Sequence, residues 1–329
     1  MGFKEIKGQE RAVAKLKAGL TTKRVSHAYL FYGPEGIGKA KAARIFARAL
    51  ACENLLDGEP CEICNNCLKA LSGNHPDIQE VFPEGTSLKI SQIRNLQSKV
   101  YLKCYEGRFK VIIIHDAQLL TMEAANSLLK VLEEPPERTI FILLADNIKS
   151  LPETICSRCL HIQFNPLDQG VISEILGELG VTVKIPLSLG QGSVGKTLRL
   201  MEKIDTQQLL LNISHLICDL KRAGYREVLA WSESLEKDRE MLEVTLELIS
   251  GIYRDRLVRC TTGQEELLWG TDDFVGKESK PEICFAVFEE INKVSYYLKH
   301  NVNLRLVLDM LLIKLRNIEC EERRLDSIG

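Results

Sequence analysis

The sequence predicts an α/β fold: a P-loop parallel-sheet domain, then a small helical lid domain, then a C-terminal all-α domain. Three observations carry this expectation. Apolar strand-like and amphipathic helix-like segments alternate over the first half of the chain, which is the pattern of a parallel, helix-covered sheet. A glycine-rich loop joins the first strand to a helix, and no convincing strand follows Phe164.

The elements justify themselves in order. Val13, Leu16 and Leu20 recur at helical spacing within residues 9–20. The apolar run Ala28–Tyr32 reads as a strand and enters GPEGIGKAKAARIFARAL, whose Ile45, Phe46, Ala49 and Leu50 share one helical face. A short extended segment, Asp77–Phe82, precedes a helix over Ser91–Val100. The four branched residues Val111–Ile114 are too apolar for a half-exposed strand and suit the middle of a parallel sheet. A helix over Glu123–Leu132 stops at Pro135-Pro136. Thr139–Ala145 and Leu160–Phe164 read as two further buried strands. Asn165-Pro166 then breaks the chain. Short helical pieces over 167–203 are punctuated by Gly180, Pro186 and GQGSVG, and from Thr206 to Ile318 long amphipathic helices follow, such as the one bearing Leu304, Val307, Leu308, Leu311 and Leu315. The expected domains are 1–165, 166–205 and 206–329.

Composition narrows the function classes. The chain has 329 residues, 45% hydrophobic and 27% charged, with a formal net charge of −2. That balance gives an ordinary core and lacks the basic excess of a compact nucleic-acid reader, so any DNA contact is local or shared with partners. No run approaches the length of a membrane span and the N-terminus has no signal-peptide core, so the expected location is cytoplasmic, with no membrane.

Two motifs carry chemistry. Gly33, Gly36, Gly38 and Lys39 belong to a G-x-x-x-x-G-K phosphate loop, in which backbone N–H groups wrap phosphates and the lysine reaches the outer ones. The next residue should be Ser or Thr to help hold magnesium, and it is Ala40. The strand Val111–Ile114 should end in two acids and ends in His115-Asp116 instead. A loop kept as scaffold and a loop that binds nucleotide weakly both remain open, so ATP in this chain's own site is doubtful. Cys52, Cys61, Cys64 and Cys67 follow C-x8-C-x2-C-x2-C. Two successive C-x2-C steps bring thiolates together and Cys52 closes a tetrahedron, the pattern of a structural Zn2+ site filled entirely by protein. Cys156 and Cys159 also form a C-x2-C pair, without surroundings that suggest redox chemistry. His27, His75 and His161 have no metal partner at useful spacing.

The order of HAYLFYGPEGIGK, the four cysteines after the loop helix, NSLLKVLEEPPERTIFILLADN and TICSRC resembles the AAA+ subunits of bacterial DNA polymerase III clamp loaders. The resemblance covers most of residues 8–165, and the three-part architecture extends it along the chain. It implies that the C-terminal helices form the collar of an oligomer and that Ser157-Arg158-Cys159 is a trans-acting motif, with Arg158 as an arginine finger for a neighbouring ATPase. Motor subunits of the family carry the loop hydroxyl, two acids and a lid arginine. Here stand Ala40, His115 and, in GSVGKTL, Gly195, with Lys196 beside it as a partial substitute; Asn147 lies in the sensor-1 region. That combination is similar to the delta-prime branch, whose own site is degenerate. The implied partners are gamma/tau motor subunits, a delta subunit, the sliding clamp and, through the assembly, primer–template DNA. Two readings stay open: an active clamp-loader ATPase of the gamma/tau type, and a DNA-reading zinc module, against which the acidic stretch CENLLDGEPCEICNNC weighs.

Overall fold

In a computed structural model the described residues are 2–183, 185, 187–203, 206–220, 222–235, 239–262, 280–298 and 302–326. Pro186 and residues 263–279 of the expected C-terminal domain lie outside them. The chain divides into two compact units, Met1–Thr182 with Gly190–Leu198, and Val183–Leu189 with Arg199–Gly329.

The first unit is a three-layer α/β/α arrangement. Its elements are α1 (Glu10–Thr21), β1 (Ala28–Tyr32), α2 (Lys39–Ala51), α3 (Asn65–Leu71), β2 (Ile78–Val81), α4 (Ile90–Val100), β3 (Lys110–Ile114), α5 (Met122–Glu133), β4 (Thr139–Ala145), α6 (Glu153–Cys156), β5 (Leu160–Gln163) and α7 (Gln169–Glu178). The sheet is parallel throughout, in the order β2-β3-β4-β1-β5. Because side chains alternate along a strand, Val111 and Ile113 join Phe31, Phe46 and Ile142 on one face, against α1 and α2. Ile112 and Ile114 join Leu30, Leu128 and Leu143 on the other, against α4 and α5. Lys110 is buried at the start of β3, where its ammonium donates to the α4-end carbonyls of Lys99 and Leu102 at 2.8 and 2.6 Å. A cation at a helix C-terminus satisfies carbonyls that lack an intrahelical partner.

One expected element differs in environment. Residues 160–164 were expected as a buried strand, but β5 pairs only with β1 and forms the sheet edge, so Leu160 is 48% exposed and Ile162 alone of the strand is buried. An edge strand lacks a second neighbour, and its alternate residues reach solvent.

The second unit is helical: α8 (Val194–Lys203, which begins in the first unit), α9 (Thr206–Leu220), α10 (Tyr225–Leu235), α11 (Arg239–Thr262), α12 (Pro281–Leu298) and α13 (Leu304–Asp326). The stripe Val307, Leu308, Leu311 and Leu315 is buried with Ile217, Ile252 and Val287 in one core. Within that core Glu319 accepts from Tyr253 Oη and, at 3.1 Å, from Arg256 Nη1.

Substitution Ile113→Ala should destabilise the protein by about 2–5 kcal/mol, the usual range for a fully buried aliphatic truncated to alanine. Leu160→Ala at the half-exposed edge should cost under about 1 kcal/mol. Urea denaturation followed by circular dichroism measures both.

Candidate functional site

Parallel strands bring all their C-terminal ends to one edge of the sheet, and the glycine loop, His115 and Asp146 meet there. Gly33 follows β1 and donates to Ala145 O at 3.2 Å, continuing the ladder into the loop. Its backbone (φ +146°) leaves no room for a side chain, since a Cβ would collide with Phe164 O. Gly36 (φ +74°) lies against Ser193 and Gly195, and its carbonyl accepts from Gly195 N at 3.1 Å. Gly38 opens α2 in left-handed backbone. Lys39 is 8% exposed, and its ammonium donates to Gly33 O, to Pro34 O at 2.8 Å and to Asp146 Oδ1 at 2.9 Å. Three acceptors use all three donors of the ammonium. Ala40 packs against the core beneath the loop.

His115 is buried where the first acid of a Walker B strand would stand. Its Nε2 pairs with Glu80 Oε2 at 2.7 Å, and its ring stacks on Phe82 with centroids 4.1 Å apart. Glu80 also takes both arms of Arg44, at 2.8 and 2.9 Å. Burial by itself would raise the Glu80 pKa, but the hydrogen bonds and charges of His115 and Arg44 outweigh it and hold the carboxyl down at about 2. Asp116 has left-handed backbone (φ 47°), and Gln118 bridges towards Asp146 at 3.1 Å. Asn147 points elsewhere and accepts from Lys149 N.

Arg158 is at the other edge. It precedes β5, whose Leu160 pairs with Tyr29, whereas the loop begins four residues after Tyr29. At about 3.3 Å per residue those four residues alone span roughly 13 Å. Arg158 Nη2 meets Glu133 Oε1 at 2.6 Å and Nη1 donates to Thr154 O at 2.8 Å, so both anchors come from segments at the same edge. Burial pushes the Cys159 thiol up to about 12 and raises that of Cys156, which removes the thiolate that redox exchange needs.

The four expected cysteines do converge. Their sulfurs lie within 4.8 Å of one another, with Cys52 and Cys67 buried. Cys61 N donates to Cys52 Sγ at 3.3 Å and Cys67 N to Cys64 Sγ at 3.4 Å. N–H bonds from Cys64 and Ile63 hold the Cys61 thiol down at about 6, while burial raises Cys52 and Cys67. The donor set is four soft sulfurs close enough to share one ion, and it can hold a metal ion.

The sequence reading missed three partners: Asp146, Glu80 and the pairing of Glu133 with Arg158. Asp146 was visible as an acid at the end of a central strand. Glu80 reaches His115 only through β2–β3 pairing, which no local signal marks.

Residues 8–168 match the family described as "DNA polymerase III, delta subunit". The chain is 33% identical to the DNA polymerase III subunit delta' of Bacillus subtilis, over 79% of this chain and 80% of that one. It is 36% identical to subunit tau/gamma of Haemophilus influenzae over 61% of this chain and 30% of that protein. To subunit tau of Escherichia coli it is 39% identical, over 50% of this chain and 26% of that protein. It thus spans less than a third of these two longer relatives.

The Glu80 arrangement has a pH signature. Its folded pKa is depressed, so its stabilisation is present above the ordinary glutamate value of about 4.5 and lost as pH falls towards about 2. After discounting for solvent screening, Glu80→Gln should cost about 1–2 kcal/mol at pH 7 and nearly nothing at pH 2. Urea titrations of both proteins at several pH values check this.

Proposed function

The chain belongs to the AAA+ clamp-loader subunits of DNA polymerase III, and from that membership we propose that it is the delta-prime-type, non-hydrolysing subunit of the loader. The observation that carries this reading is the place of Arg158, at the sheet edge opposite the chain's own glycine loop. A guanidinium there serves only a phosphate bound by another chain. Its planar, permanently charged fork makes paired hydrogen bonds to γ-phosphate oxygens as charge shifts during transfer, which a lysine does not. Glu133 and Thr154 hold two of its nitrogens and leave Nε–H for a partner.

The chain's own site supports the same division of labour. Lys39 is engaged by two loop carbonyls and Asp146, Ala40 offers no hydroxyl, and His115 offers no carboxylate to magnesium. Nucleotide binding would require Lys39 to leave its three acceptors, and hydrolysis would still lack its metal ligands. In this reading Zn2+ is structural, held by Cys52, Cys61, Cys64 and Cys67, and ties the end of α2 to α3. Residues 1–165, 166–205 and 206–329 serve as AAA+ domain, lid and collar. The partners are gamma/tau motors, a delta subunit and the sliding clamp, with primer–template DNA met through the cytoplasmic assembly during replication.

Reconstitution with the other loader subunits tests the finger. Arg158→Ala should leave assembly intact and lower clamp-dependent, DNA-stimulated ATPase and clamp loading. Fingers acting in trans contribute about 10³–10⁵ at the site they serve, so total ATPase should fall by that one site's share and Arg158→Lys should rescue little. Wild-type loading by a correctly assembled mutant complex would remove the role. The purified chain alone should hydrolyse no ATP; turnover that Lys39→Ala abolishes would favour the gamma/tau motor reading.

Elemental analysis of protein purified without chelator should find one zinc per chain, with loss of metal and lowered stability on Cys64→Ser, because such binding energy is folding energy. Metal content well below one, and indifferent to the substitution, would count against zinc.

A further inference from the structure

A groove of the α/β unit, lined by residues of α2, α3 and β2, gathers three cationic side chains and a buried histidine, and Arg48 and His75 among them hold donors with no acceptor. Lys41, Arg44 and Arg48 stand three and four residues apart on α2 and so share one face. They line a cavity of about 160 Å³ together with Glu5, Ala70 and Leu71. A neighbouring cavity of about 330 Å³ shares Arg44 and Ala70 and adds His75, Ile78, Glu80 and Phe82.

The charges do not balance. Lys41 is paired with Glu5 at 3.3 Å and Arg44 with Glu80, so both carboxylates that face the groove are engaged. Arg48 is 4% exposed, and its Nε and Nη2 are buried with no hydrogen-bond partner among the described residues. Removing a guanidinium from water without an anion or acceptor is strongly unfavourable. His75, 3% exposed, repeats the pattern. Its Nδ1 accepts from Asp77 N at 3.1 Å, which puts the proton of the neutral ring on Nε2, and burial lowers its pKa and keeps it neutral. Nε2 is also buried without a partner. The unmet groups are therefore all donors. A ligand that satisfies them is made of acceptors and carries negative charge.

We propose that this groove is a phosphate-binding site separate from the glycine loop, in which Arg48, with Lys41 and Arg44, holds a phosphate oxyanion, while His75 donates to the group that fills the adjoining cavity. The phosphate oxygens are acceptors for the donors supplied from α2, and the forked guanidinium suits an oxyanion better than a point charge does. The smaller cavity admits the phosphate group. The larger, with the ring of Phe82 at its wall, has room for the organic part of a small phosphate ester. Lys39 takes no part, being spent on the carbonyls and carboxylate of its own loop.

Calorimetric titration of the full chain in phosphate-free buffer tests this, with inorganic phosphate and, in a second arm, adenosine monophosphate. One saturable site with a dissociation constant of about 1 mM or tighter is expected. Arg48→Met should weaken it at least about tenfold, Lys41→Ala several-fold, His75→Leu several-fold for the monophosphate alone, and Lys39→Ala not at all. Tighter binding of the monophosphate identifies a small ester as the ligand; equal binding identifies free phosphate. Absence of saturable binding would overturn the site, as would binding abolished by Lys39→Ala yet untouched by Arg48→Met. Should Arg48→Met fail to fold, the exposed Lys41→Ala decides, and unchanged affinity there overturns the proposal equally.

Discussion

Parallel pairing of β1 between β4 and β5 is the constraint on which the other features depend. Backbone bonds run from the strands into the loops: Gly33 N reaches Ala145 O and Phe164 N reaches Tyr32 O. Since every strand points the same way, the glycine loop, His115 and Asp146 gather at one edge while Arg158 falls at the other. A subunit built so has two chemically different edges, one suited to receiving phosphate and one presenting a cation. In the proposed assembly that polarity would let neighbouring chains of one fold complete each other's sites.

At the glycine-loop edge Ala40 and His115 serve packing and pairing. Ala40 fills space under the loop rather than presenting a hydroxyl. His115 makes a hydrogen bond to Glu80 and a stack on Phe82. At Gly36 the Ser193 hydroxyl and Gly195 backbone, and at Gly33 the Phe164 carbonyl, lie where a Cβ would go. The glycines thus have a structural reason to persist that is independent of any phosphate.

The helix after the loop links three features. α2 is buried along most of its length, ends at Cys52, and receives Asn66 Nδ2 at Ala51 O, so the cysteine cluster fixes its C-terminal end. One turn before Cys52 stands Arg48, which lines the donor-rich groove together with Ala70 and Leu71 of α3.

Much of this was legible in the sequence, for reasons of range. Strand and helix periods, the glycine loop, the C-x2-C steps and the stop at Pro135-Pro136 are local, and local geometry fixes the spacing of their side chains. The runs Ala28–Tyr32 and Thr139–Ala145 met their strands residue for residue. Tertiary structure alone decided who meets whom across the sheet: Glu80 with His115, Lys39 with Asp146, Arg158 with Glu133, and the exposure of Leu160 at an edge. His75 carried no signal because its neighbours in space lie on other elements. Strand order and the docking of α3 depend on burial summed over the whole core, a quantity that no window of sequence contains.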